Sequence, residues 1–182
     1  MCIRDRHNIK NAASALSVAF SIGVSDKIIK KGLKNFKGVQ RRFNYLFEKN
    51  QIPFFDDYAH HPTEIESVLD GVKKVYNEEE IVCIFQPHRI SRVRSLKKEF
   101  SKCFKKANTI LLCPIYKAGE NIKLGFSYES FAKLIAKNSN VNLIMLKNEH
   151  ELKKIIKNIT FGKKIFIAMG AGSISNWVRN LN

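Results

Sequence analysis

The feature that most constrains this chain is an alternation that begins near residue 43. Short apolar runs are separated by stretches whose apolar residues recur at helical spacing. The runs Ile81 to Phe85, Thr109 to Cys113, Asn142 to Leu146 and Lys164 to Met169 carry Val, Ile, Leu and Phe on consecutive positions. That is the pattern of strands buried on both faces. Between them lie an amphipathic helix from Pro62 to Lys74, a basic helix reaching about Lys106, helices Tyr128 to Lys137 and Glu149 to Asn158, and a last helix from about Ser173. Strands of this kind need helices on both sides, so the expected architecture is α/β, a mostly parallel, doubly wound sheet. Phe43 to Phe47 and Ile52 to Phe55 read as a hairpin closed by Glu48-Lys49-Asn50-Gln51.

The first forty residues differ in texture. His7 to Phe20 is rich in Ala, with Ile9, Ala12, Ala13, Leu16 and Phe20 at helical spacing and Gly23 as a stop. Ser25 or Asp26 can cap a second helix to about Phe36, after which Gly38 breaks the pattern. Two helices are too few to build a core, so residues 1–38 read as an appendage and 39–182 as the domain.

Composition narrows the function classes. Among 182 residues there are 32 basic against 16 acidic, a formal charge of +16, which would suit a polyanion. The cations are mostly Lys and run along the whole chain, which fits solvated faces better than a binding stripe. No apolar run is long enough to cross a membrane and no secretory leader is recognisable, so the expected location is cytoplasmic. Cys2, Cys83, Cys103 and Cys113 form no C-x-x-C pair and are expected to be reduced and incidental.

Ligands of doubly wound sheets gather beyond the carboxyl ends of the strands, and three polar clusters fall there. Asp56-Asp57-Tyr58-Ala59-His60-His61-Pro62-Thr63-Glu64 places carboxylates, a phenol and two imidazoles in one strand-to-helix turn. A metal site of Asp56, Asp57, His60 and His61 is poorly supported, because neighbouring side chains diverge, and no metal ligands are assigned. Gln86-Pro87-His88-Arg89-Ile90-Ser91-Arg92 follows a strand. If the turn after Pro87 is helical, Arg89 and Arg92 lie one turn apart and form a guanidinium fork for a carboxylate or phosphate. Gly170-Ala171-Gly172-Ser173 is a glycine turn entering a helix. The phosphate-binding pattern G-x-x-x-x-G-K-[ST] does not occur.

In this order and spacing these segments, with Ala118-Gly119-Glu120, resemble the carboxyl-terminal part of a Mur ligase. The alanine-adding branch is the nearest, and the murein-tripeptide recycling branch is expected to differ at Gln86 to Arg89. The resemblance implies that residues 1–38 are the last helices of a central ATP-binding domain. It implies that 39–182 are a Rossmann-like carboxyl-terminal domain, and that an amino-terminal domain and most of the central one are missing. Met1 to Arg6 does not resemble the family and is expected to be non-native. The implied activity is ATP-dependent amide synthesis between UDP-N-acetylmuramate and L-alanine through an acyl phosphate, with magnesium held mostly by the missing central domain. By the same resemblance His60, Arg89 and Arg92 would act on the amino acid and hold its carboxylate, and Tyr58 would line that pocket. His7, Asn8 and Asn11 would meet the adenine, and Arg42 and Asp57 would face the phosphate or ribose. The chain alone is expected to be inactive. The competing reading is a basic nucleic-acid or nucleotide-binding module, which requires a contiguous Lys/Arg surface with exposed aromatic residues.

Overall fold

The computed structural model describes residues 6–36 and 40–182, and the chain divides into two compact units, Met1–Gln40 and Arg41–Asn182. In the first unit α1 (Arg6–Ser21) and α2 (Asp26–Asn35) are joined by a turn in which Gly23 adopts a φ of 80°. Ser25 takes the N-cap position of α2, but its side chain makes no capping hydrogen bond. No side chain of α2 is buried, and Val18, Phe20, Ile22, Ile28 and Phe36 are all exposed. Cys2 and the expected break at Gly38 lie outside the described residues.

The second unit is a six-stranded sheet flanked by helices. In chain order it contains β1 (Asn44–Lys49), β2 (Ile52–Asp57), α3 (Pro62–Val75), β3 (Glu80–Phe85), α4 (Ile90–Ser95), α5 (Lys97–Phe100) and β4 (Thr109–Leu112). It continues with α6 (Tyr128–Ser139), β5 (Asn142–Met145), α7 (Glu149–Ile159), β6 (Lys164–Met169) and α8 (Ile174–Arg179). The strand order is β1-β2-β6-β3-β4-β5, parallel throughout except for the antiparallel β1–β2 pair. The doubly wound α/β sheet expected from the sequence is therefore present.

Alternation along the strands sorts the core into two layers, because successive side chains leave a strand on opposite faces. From β6, Ile165, Ile167 and Met169 join the layer under α3, α4, α5 and α6. Phe166 and Ala168 join the layer under α7 and α8. In that second layer the rings of Phe47, Phe54 and Phe166 stack across β1, β2 and β6 with centroids 4.7 and 4.5 Å apart.

Two elements differ from the sequence reading. The hairpin turn is two residues rather than four, because both strands run to its edge. Asn50 and Gln51 take φ of 53° and 63°, the left-handed pair whose twist matches the strands. The basic helix to Lys106 is instead two short helices and a turn. Local bonding explains the break: Ser139 Oγ donates to the Ser101 carbonyl at 2.8 Å and accepts from the Phe104 N–H at 3.3 Å, drawing off backbone groups that a longer helix would pair internally. Val93, Phe100 and Phe104 are all fully buried by this bent path. Among the described residues no helix is long and apolar enough to cross a membrane.

A helix with no buried partner surface is held only by its own hydrogen bonds, whereas β3 is closed on both faces and both edges. Amide exchange in α1 should therefore run at least about 100-fold faster than in Ile81 to Phe85. Equal protection in the two segments, measured by exchange and mass spectrometry, would show that the apolar faces of α1 and α2 are covered.

Candidate functional site

The strand registers fix where the polar loops meet. Asp57 pairs with Met169, Met169 with Phe85, and Phe85 with Leu112, so β2, β6, β3 and β4 end on one line. The turn after β2, the glycine turn after β6, the His88 segment after β3 and the long loop after β4 all rise from that line.

The turn after β2 is held by its own carboxylates. Asp57 is 4% exposed and accepts from the Ala59 N–H at 2.7 Å and the Phe43 N–H at 2.8 Å. Burial pushes its carboxyl up to about 6, against the two N–H bonds and the Arg42 charge that favour the anion. One oxygen, Oδ1, thus closes the turn after β2, and the other, Oδ2, holds the backbone of the 41–43 segment, where Arg41 and Phe43 have φ of 59° and 48°. Asp56 is fully buried: its Oδ2 accepts from Ser175 Oγ at 2.5 Å and lies 3.6 Å from Arg179 and 3.8 Å from Arg41 Nε. Arg41 donates from Nη2 to the Gly170 carbonyl and lays its guanidinium 4.9 Å from the centre of the Tyr58 ring.

His61 and His60 have separate tasks. His61 is the N-cap of α3 and forms a reciprocal capping box with Glu64, so it is a structural residue of the helix start. Glu64 also accepts from the His60 N–H at 3.0 Å, and together these N–H bonds outweigh burial and hold its carboxyl below the ordinary range. His60 has its Nδ1 2.9 Å from the Tyr58 carbonyl. A carbonyl can only accept, so in the neutral ring Nδ1 carries the proton and Nε2 keeps its lone pair.

The segment after β3 departs from the expected geometry. Arg89 is not on the helix: it is the N-cap residue of α4 with φ 69° and ψ 130°, and its side chain is exposed. Arg92, one turn into α4, reaches back to His88, with Nη1 3.1 Å from the His88 carbonyl and 3.2 Å from its Nδ1. A guanidinium can only donate, so neutral His88 has a bare Nδ1 and a proton on Nε2. Its ring lies 5.6 Å from that of His60 and stacks at 5.5 Å on Tyr116. Burial, then His60, Arg92 and Arg89, disfavour the charged form of His88.

His88 therefore links two of the expected site residues, touching both His60 and Arg92, and Tyr58 closes the row at 5.2 Å from the His60 ring. Arg89 leaves the chain beside His88. Arg42 is exposed at the start of the second unit. Asn11 is exposed on α1, and the side chains of His7 and Asn8 lie outside the described residues. Sequence reasoning assigned nothing to His88, Arg41, Tyr116 or Gln86. His88 and Gln86 lie in the Gln86 to Arg92 segment that the sequence marks, but the contact of His88 with Arg92 depends on the unwound residue between them.

The glycine turn is required by close approach. A Cβ on Gly172 would lie 2.6 Å from Tyr116 Cγ, and one on Gly170 2.7 Å from the Gln86 carbonyl oxygen. Gln86, buried beneath, accepts from the Ile174 N–H at 3.0 Å and so caps α8. Among the described residues no group of three or more His, Cys, Asp or Glu side chains could hold a metal ion.

The raised Asp57 pKa has a definite sign. A carboxyl that binds its proton more tightly folded than unfolded stabilises the fold fully below the ordinary value of 3.8, and this contribution is lost as pH rises through about 6. The carboxyl carbon of Asp57 should titrate near 6 by NMR. Its contribution to stability should fall by roughly 3 kcal/mol between those limits. A midpoint at or below the ordinary value would show that the two N–H bonds dominate burial.

Comparison with known proteins identifies the family. The UDP-N-acetylmuramate–L-alanine ligase of Pelagibacter ubique is 62% identical over 175 residues, which are 96% of this chain and 38% of that protein. The crystal structure of the UDP-N-acetylmuramate–alanine ligase of Thermotoga maritima superposes with a TM-score of 0.72 at 28% identity, over 97% of this chain and 37% of that one. A murein peptide ligase of Psychrobacter arcticus superposes with a TM-score of 0.71 at 25% identity, over 97% of this chain and 36% of its own. The chain thus spans less than two fifths of the length of these relatives. The family model described as Mur ligase, glutamate ligase domain, matches residues 41–172, and the chain belongs to the Mur ligase family.

Proposed function

We propose that this chain is the carboxyl-terminal part of an ATP-dependent ligase that joins L-alanine to the carboxylate of UDP-N-acetylmuramate in peptidoglycan synthesis. Its second unit holds the amino acid and part of ATP. The observation that supports this reading is the His60–His88–Arg92 row beside Arg89 at the carboxyl edge of the sheet, in a chain 62% identical to an alanine-adding ligase. Residues 1–38 are then the last helices of the central ATP-binding domain, and the amino-terminal and central domains are the partners of this one.

In the proposed reaction the muramyl carboxylate takes the terminal phosphoryl group of ATP. The alanine amine then attacks the acyl carbon, forming the amide and releasing phosphate. The task of this chain is to hold a small zwitterion with its amine aimed at that carbon, a gain from orientation rather than from new chemistry. Arg89 and Arg92 receive the alanine carboxylate, with Tyr58 as a wall. The two histidines are complementary: His60 offers a lone pair at Nε2 that can take the ammonium proton, and His88 offers an N–H at Nε2. Arg42 faces the ATP phosphates and His7, Asn8 and Asn11 the adenine. Asp57 supports the nucleotide side through the backbone of residues 41–43. The described residues give magnesium no ligand set, and no step is assigned to it.

Two outcomes are expected. The 182-residue chain with ATP, magnesium, UDP-N-acetylmuramate and L-alanine should release no phosphate above background, because it has no phosphate-cradling loop. A chimaera that supplies the preceding part of the Pelagibacter ubique relative should release phosphate only when both substrates are present. A chimaera silent with L-alanine but active with a murein tripeptide would overturn the alanine assignment.

In that chimaera Arg89→Ala should raise the Michaelis constant for alanine about 10- to 150-fold, the loss of a charge-assisted hydrogen bond. Arg89→Lys should not restore it, since an ammonium cannot reproduce a planar fork. If the alanine constant holds and the ATP constant rises, Arg89 belongs to the nucleotide.

A further inference from the structure

The Ala118-Gly119-Glu120 segment has no part in the reading above, yet its carboxylate meets the residue between the two arginines. Glu120 accepts from the Ser91 N–H at 3.0 Å through Oε2 and from Ser91 Oγ through Oε1. Ser91 is the second residue of α4, and the N-cap residue Arg89 makes no side-chain cap of its own. The carboxylate that satisfies this helix start thus comes from a loop 29 residues away in sequence. The loop is tied to the same backbone at two further points: the Arg89 N–H donates to the Tyr116 carbonyl and the Tyr116 N–H to the Pro87 carbonyl, both at 2.8 Å. The turn that presents Glu120 has Ala118 and Gly119 at φ of 52° and 81°. Ala118 is in a conformation an L residue seldom adopts, and the clamp on Ser91 is what the turn holds in return.

We propose that Glu120 is a positioning residue of the candidate amino-acid pocket, holding the start of α4 so that Arg89 leaves the chain unwound and Arg92 turns back onto His88. It rests on the function proposed above only in the identity of the ligand; the clamp itself is geometric. Glu120 touches no proposed substrate atom. The charged and titratable groups its carboxylate acts on across the pocket are Arg89 and His88.

His88 reports the clamp, because the groups around it act with opposite signs. Burial, then His60, Arg92 and Arg89, lower its affinity for a proton, and the Glu120 charge raises it. If Glu120 acted by charge alone, deleting it would move the His88 titration midpoint down. If Glu120 positions the arginines, deleting it lets them withdraw and the midpoint moves up. The experiment uses the 182-residue chain, with imidazole NMR signals followed against pH in the parent, Glu120→Ala, Glu120→Gln and Ser91→Ala. Glu120→Ala should raise the His88 midpoint. Ser91→Ala, which weakens the clamp and leaves the charge in place, should raise it less. Glu120→Gln keeps an acceptor for the Ser91 N–H and should not raise it. A fall in Glu120→Ala matching that in Glu120→Gln, with no change in Ser91→Ala, would overturn the proposal, and the Ser91 variant decides it if Glu120→Ala does not fold.

The same samples titrated with L-alanine separate this proposal from the reading it extends. The parent should show alanine-dependent shifts of the Arg89 and Arg92 side-chain signals, with affinity about ten- to hundredfold weaker in Glu120→Ala. Parent signals that ignore alanine while His88 moves as stated would refute the ligand and keep the clamp. Equal alanine affinity in parent and Glu120→Ala would refute the clamp.

Discussion

Met169 is the residue on which the site is built. Its backbone pairs with Asp57 on one side and Phe85 on the other, and Phe85 pairs in turn with Leu112. This register makes four strands stop together, so that loops from distant parts of the sequence start within a few ångströms of one line. Register in a sheet buried on both faces is stiffly specified, since a slip of one residue would exchange the two core layers. On β6 such a slip would move Phe166 out of its stack with Phe54 and bring Ile165 and Ile167 into that layer. The packing of the sheet interior thereby determines which polar residues meet at its edge, although none of them contributes to that packing.

The close approach of backbones at this edge explains the composition of the loops. Tyr116 occupies the space a Cβ on Gly172 would need, and the Gln86 carbonyl the space beside Gly170. Arg41 also donates to the Gly170 carbonyl. The glycine turn, which enters a helix, is thus met by protein groups at both of its glycines. Its glycines permit contact between loops.

Much of this was legible in the sequence because it depends on local pattern. Consecutive apolar residues reveal doubly buried strands, and the period of Ile65, Leu69 and Val72 reveals a helix lying on them. The clusters after β2, β3 and β6 could be placed at the sheet edge from topology alone. What could not be read depends on contacts between loops. Spacing alone reads a helical turn after Pro87, yet Arg89 is the N-cap residue of α4 at φ 69°, with its N–H donated to the Tyr116 carbonyl 27 residues on. The link from His88 to Arg92 follows from that unwinding. The end of the basic helix at Phe100 likewise depends on Ser139. Asp57 carried a signal, adjacency to other polar residues, but its use of both oxygens on backbone N–H groups could be seen only in three dimensions.

The electrostatic character of the site follows from which charges are already matched. Asp56 is matched by Ser175, Arg41 and Arg179, Asp57 by two N–H groups, Glu64 by the N–H groups of His60 and His61, and Glu120 by Ser91. Each carboxylate holds backbone or a neighbouring loop, although Asp56 does so through Oδ2 alone and its buried Oδ1 has no hydrogen-bond partner. The guanidiniums of Arg42 and Arg89 are exposed at the same edge, so the unmatched charge there is positive. Such a site attracts anions whatever the net charge of the chain, and the lysines dispersed over the surface add little to it beyond a screening length. Five of the eight arginines, Arg41, Arg42, Arg89, Arg92 and Arg179, stand here, which fits a need for directed donors. Arg92 donates to the His88 carbonyl and Nδ1 from Nη1 alone, so its Nε and Nη2 N–H groups are left to turn outward, a spread of donors that the single nitrogen of an ammonium lacks.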